Sequence, residues 1–148
     1  MPRFIVSLLA ASAITSVAVS AQAASYQLVE ANDQDVVAIE RDTVSKNSFI
    51  MTTILMAPMQ LPHTRAYVIR ELIKYSCSGT VSHLGMIAYD RQGQAISKSG
   101  PGYDSSHNAD RGSALANAVS AACGHKIKYS STITGLSLVQ FENSVLNK

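Results

Sequence analysis

The chain has 148 residues, with 12 basic and 10 acidic side chains and a formal net charge of +2. It is 47% hydrophobic and 15% charged, with 8 Gly and 4 Pro, which excludes a disordered tail, a collagen-like repeat and a low-complexity chain. The small net charge excludes an electrostatic nucleic-acid binder, and the length implies one domain.

The N-terminus reads as a secretory signal peptide. Arg3 supplies a positive start, residues 4–19 are uncharged and largely Val, Ile, Leu and Ala, and Ala21-Gln22-Ala23 has the small-x-small cleavage pattern. The uncharged run is shorter than a bilayer span and is diluted by Ser and Thr. The expected mature chain is residues 24–148, with no transmembrane segment and no cysteine at the cleavage site for a lipid anchor. Cleavage removes one basic and no acidic residue, so the mature chain stays near neutrality.

Along that mature chain, Tyr26, Leu28 and Val29 open a segment that turns polar over residues 32–35. Residues 36–39 and 49–56 read as strands, separated by a polar turn, and Pro58 and Pro62 bracket a loop over 58–64. Residues 67–77 alternate: Tyr67, Ile69, Ile73, Tyr75 and Cys77 share one parity, while Arg70, Lys74 and Ser76 share the other. Glu71 and Leu72 break the pattern, but a half-buried strand remains the best reading. Residues 81–89 make the next strand, Asp90-Arg91-Gln92-Gly93 a hairpin turn, and residues 94–99 the returning strand. A polar loop over 102–112 leads to a helix over 114–123, capped by Asp110 or Ser113 at its start and by Gly124 at its end. Residues 127–133 read as a strand. Leu136, Val139, Phe141, Val145 and Leu146 fit a short strand or a loose helix.

Both cysteines survive cleavage. An even pair in an exported chain, with no CxxC motif, reads as a Cys77–Cys123 disulfide. It would join the end of a strand to the end of a helix and pin one onto the other.

Residues that could carry chemistry are sparse. There is no G-x-S-x-G elbow and no S-x-x-K pair. His63, His83, His107 and His125 are scattered, with no H-x-H or H-E-x-x-H spacing, so no metal or cofactor is expected. The loop holding Asp104, His107 and Asp110 lacks the EF-hand spacing. Asp33 with Asp35, and Glu40 with Asp42, read as charged strand ends that blunt sheet edges. Arg70 and Lys74 share the polar face of their strand, with Arg65 nearby in sequence. Lys126 and Lys128 flank the C-terminal segment beside His125. All of these are expected to be solvated, and if the two groups meet in space they make a modest basic patch able to meet an acidic partner or polysaccharide.

Several features follow one another in a recognisable order. They are the signal peptide, Val36-Val37-Ala38-Ile39-Glu40-Arg41-Asp42, a strand, a Pro-containing loop, and the run from Arg70 to Cys77. Then come the hairpin Ala88-Tyr89-Asp90-Arg91-Gln92-Gly93 and a small-residue helix ending Ala122-Cys123-Gly124. This order, over about residues 35–124, resembles the surface-adhesin protein E family of Gram-negative bacteria. In that family a strand ending in Cys, a Tyr-x-x-x-Gly turn and a helix ending in the second Cys recur together. The chain departs from the family in having no Trp before the helix and in its tail beyond Cys123.

The resemblance implies an α+β fold, a small antiparallel sheet with a C-terminal helix packed on it and one disulfide. It also implies adhesion to host extracellular-matrix or serum proteins. With catalytic motifs missing, the expected function is non-enzymatic protein binding, and the charged strand face, not the resemblance, offers Arg65, Arg70 and Lys74 as its binding residues. The alternatives are a periplasmic inhibitor or accessory subunit of an envelope assembly, and a small hydrolase built on the 102–112 loop.

Overall fold

The computed structural model describes residues 23–100, 106–129 and 131–147. The signal-peptide reading and the Asp104 end of the polar loop lie outside these residues. Six consecutive strands form an antiparallel meander: β1 (Ala24–Ala31), β2 (Asp35–Glu40), β3 (Ser48–Leu61), β4 (Thr64–Tyr75), β5 (Thr80–Tyr89) and β6 (Ala95–Ser99). The short β7 (His107–Asn108) pairs with the start of β5, and helix α1 (Ala114–Ala122) follows. The chain then returns as β8 (Thr132–Leu136) on the outer side of β1 and ends in helix α2 (Leu138–Leu146). The α+β class and the Cys77–Cys123 bridge are as expected, with a second helix added.

The helices lie on opposite faces of the sheet, and strand alternation decides which residues meet each. Val37, Ile39, Phe49, Met51, Ile73 and Tyr75 point to one face and bury against Ala118, Val119 and Ala121 of α1. Residues of the other parity, Ala38, Ile54 and Val68, join Tyr26 under Phe141 of α2. The Tyr26 and Phe141 rings stack with centroids 4.1 Å apart.

Local chemistry sets the element ends. Ser113, not Asp110, caps α1: its hydroxyl accepts from the Ala116 amide. At the other end Gly124 takes a left-handed conformation (φ 78°). There the Gly124 amide donates to Ala121 O and the His125 amide to Ser120 O, the two bonds of a Schellman stop. Helix α2 begins with a full capping box between Ser137 and Gln140.

Three expectations are corrected. The 58–64 segment is not a loop, because β3 runs to Leu61 and β4 starts at Thr64. Pro58 is tolerated because the β3–β4 register shifts between Ile54 and Met59, at a bulge where a missing ladder donor costs nothing. Residues 24–31 form a strand, whose own bulge between Leu28 and Glu30 hides its alternation. The strand placed at 127–133 lies instead at Thr132–Leu136.

Helix α2 carries one buried charge. Glu142 is 2% exposed, and its Oε2 has no hydrogen-bond partner. It lies near the Asp90–Gly93 turn, where a side chain at Gly93 would collide with Val139. Burial pushes the Glu142 carboxyl above the usual carboxylate range, Arg91 pulls it down and Asp90 pushes it up. A carboxyl raised in the folded state contributes its full stability below its unfolded pKa and loses it as pH rises through the folded value. Glu142→Gln is therefore expected to raise the urea-unfolding free energy at pH 7 by on the order of 1 kcal/mol. The gain should shrink as pH falls toward 4.

Candidate functional site

The α2 face of the sheet divides into a covered and an open half. Between the two runs a polar row across the strands. Glu40, at the end of β2, sits opposite Tyr26 of β1. Thr52 of β3 sits opposite Arg70 of β4, and Arg70 opposite Ile87 of β5. The Thr52 hydroxyl donates to Glu40 Oε1 at 2.7 Å. Arg70 grips both carboxylate oxygens, Nε on Oε1 at 2.7 Å and Nη2 on Oε2 at 2.6 Å, and its Nη1 donates to the Tyr89 hydroxyl at 3.3 Å.

The Glu40 side chain is 3% exposed and that of Arg70 29%. Burial alone would lower the Arg70 pKa, but the hydrogen bonds and charge of Glu40 outweigh it and raise it. Burial, reinforced by the Glu40 charge, pushes the Tyr26 phenol up to about 12. These groups form a fixed ionic clasp, and a phenol raised this far is a poor nucleophile or base near neutrality.

The expectation of solvated charges is thus corrected at two residues. Glu40 is no sheet-edge charge, because β2 lies between β1 and β3. Arg70 is committed to Glu40. Lys74 is exposed as expected, on the same face as Arg70 and four residues along the strand. Arg65 lies five residues before Arg70, opposite Gln60 in the β3–β4 hairpin. At about 3.3 Å per residue it is about 16 Å away and of the opposite parity, so it does not join them.

Beyond the clasp no described helix or strand covers the face. Leu72 is 41% exposed, an unusual state for a leucine in an interior strand. Ile50 of β3 and Gly85 of β5 flank it in register, and Ile87 is one pair further along. Gly85 has no side chain, and the Ser99 carbonyl of β6 would lie 3.3 Å from a Cβ placed there. Lys74 borders this apolar patch at one end, and Lys98 of β6, opposite Ile87, borders it at the other. Sequence reasoning found Lys74 but missed Leu72, Ile87 and Lys98. The signal was present in Leu72, an apolar residue standing in the polar parity of its strand.

The remaining chemistry-bearing residues gather elsewhere. On the α1 face, Glu71 Oε1 lies 3.1 Å from His83 Nδ1. The His83 and His107 rings lie nearly parallel with centroids 6.1 Å apart. Among the described residues no three His, Cys, Asp or Glu side chains gather as metal ligands. An open cavity of about 170 Å³ lies beside the disulfide, lined in part by Cys77, Ser120, Cys123 and His125. No helix among the described residues is long and apolar enough to cross a membrane. Comparison of the chain with protein-family models, with curated proteins and with solved structures gives no match.

Proposed function

We propose that this chain is an exported, non-enzymatic binding domain, adhesin-like, whose working surface is the open half of the α2 sheet face. The observation that carries the reading is Leu72, exposed in an interior strand with half-buried Ile50 and Ile87 nearby in register and lysines at the borders. Contiguous exposed apolar surface with a polar rim is the usual mark of an interaction site. The disulfide fits an oxidising compartment. The order of motifs shared with the surface-adhesin protein E family supports host extracellular-matrix or serum proteins as partners. Lys74 stays among the proposed binding residues, while Arg65 and Arg70 leave that role for the geometric reasons given above.

The reading is tested by labelling intact cells with a membrane-impermeant amine reagent and by binding purified protein to immobilised matrix and serum proteins. Labelling of the chain on intact cells together with saturable binding is the expected result. Labelling only after outer-membrane permeabilisation would overturn the adhesin reading in favour of a periplasmic inhibitor or accessory subunit.

A further inference from the structure

The open half of the sheet face has dimensions and charges that specify its occupant. We infer that it takes an acidic amphipathic helix of a protein partner, laid beside α2 across strands β3 to β6. This inference rests on the reading of that face as the working surface.

Strands β3, β4 and β5 run under both halves, and on the covered half Ile54 of β3, Val68 of β4 and Tyr89 of β5 pack in one cluster with Phe141 of α2, a nine-residue amphipathic helix. The same pleated surface continues past the clasp with Ile50, Leu72 and Ile87 in place of Ile54 and Val68. A surface that seats one short helix through apolar contacts is shaped to seat another.

From Arg70 to Lys74 along β4 is about 13 Å, and a helix with its side chains is about 10–12 Å across. A helix crossing the strands between those rows rests on Ile50 and Leu72, and Gly85 adds no side chain in its way. Four strands, about 4.8 Å apart, give a seat about 14 Å long, roughly nine residues of helix.

Among the described residues β3 to β6 place no carboxylate on this face, and Glu40, which reaches it from β2, is neutralised by Arg70. Lys74 on one flank and Lys98 on the other have no ion pair to another described residue. A helix with an apolar stripe and acidic residues on both sides of it would meet a lysine on each flank, and a basic helix would be repelled at both.

The test uses the disulfide-bonded protein and three probes. The first is a synthetic 14-residue peptide with Leu at i, i+3, i+4 and i+7 and Glu on the flanking positions. The second is its counterpart with Lys for Glu, and the third is phosphatidylglycerol vesicles. Amide chemical-shift changes map where each binds. The acidic peptide is expected to saturate with shifts centred on Ile50, Leu72, Lys74, Gly85, Ile87 and Lys98. The basic peptide should bind at least tenfold more weakly. Lys74→Glu with Lys98→Glu should weaken the acidic peptide about tenfold while leaving Tm unchanged, and Leu72→Ala should weaken it independently of salt.

Equal binding of both peptides, shifts centred elsewhere, or no shift at millimolar peptide would overturn the helix proposal. Vesicles that shift these amides when the peptide does not would also overturn it, by assigning the face to an anionic membrane while leaving it a working surface. If no probe reaches the face and Leu72 variants keep native binding, the underlying reading fails as well.

Discussion

Arg70→Ala is expected to lower the unfolding free energy by about 3–5 kcal/mol, because it strands a buried charge. Glu40 is 2% exposed, and its two oxygens are satisfied by Thr52 and by two nitrogens of Arg70. Without the guanidinium, Oε2 loses its only donor among the described residues and the carboxylate has no countercharge. Arg70→Glu should be worse, since it puts a second carboxylate beside the first. Removing both charges with Arg70→Met and Glu40→Gln should recover much of the loss, because the pair itself was costly to bury. Urea unfolding of Arg70→Met, Glu40→Gln and the double variant closes the cycle. A loss under 1 kcal/mol for Arg70→Ala would mean that the clasp does not form.

Breaking the disulfide is the second large effect. Cys77 and Cys123 are 46 residues apart, and in the chain-entropy model closing such a loop contributes about 4 kcal/mol. Cys77→Ser or Cys123→Ser should therefore cost about 2–5 kcal/mol. The loss should be uneven. Cys123 is the C-cap of α1, and a nine-residue helix has little stability apart from tertiary contacts. Without the bridge, α1 is held by its apolar face, the Asn117 side-chain bond to Val29 O and the Arg41 bond to Ala121 O. Hydrogen exchange in Ala114–Ala122 should rise well before exchange in β2 to β4. Uniform exchange across helix and sheet would contradict this account.

What was legible in the sequence follows from how locally each feature is encoded. The strands from Asp35 to Ser99 announce themselves because most have one buried face and the Asp90–Gly93 turn is local. The segment at Ala24–Ala31 did not, because a bulge breaks its period of two. Helix α2 carried a readable start in Ser137-Leu138-Val139-Gln140, but its apolar spacing also fitted a strand. Strand 67–77 was read correctly as alternating, and its two irregularities turned out to be its informative residues. Glu71 stays on the α1 face and meets His83 there, and Leu72 stands exposed on the other face between cations. The Arg70–Glu40 pairing was illegible because it joins residues 30 apart through strand register. The same register separated Arg65 from Lys74 and brought Lys98 to the patch.

The central claim, that the open half of the sheet face does the binding, is tested most directly by a paired variant measurement. Leu72→Asp with Lys74→Glu alters exposed side chains only, so its Tm should stay within a few degrees of the wild type. His107→Ala serves as the comparison, since the 102–112 loop is the seat of the rival hydrolase reading. Binding to immobilised matrix and serum proteins is measured for all three at two salt concentrations. The account predicts at least a tenfold loss for the double variant, weaker salt dependence in what remains, and wild-type binding for His107→Ala. Full binding by the folded double variant, with loss in His107→Ala, would contradict it.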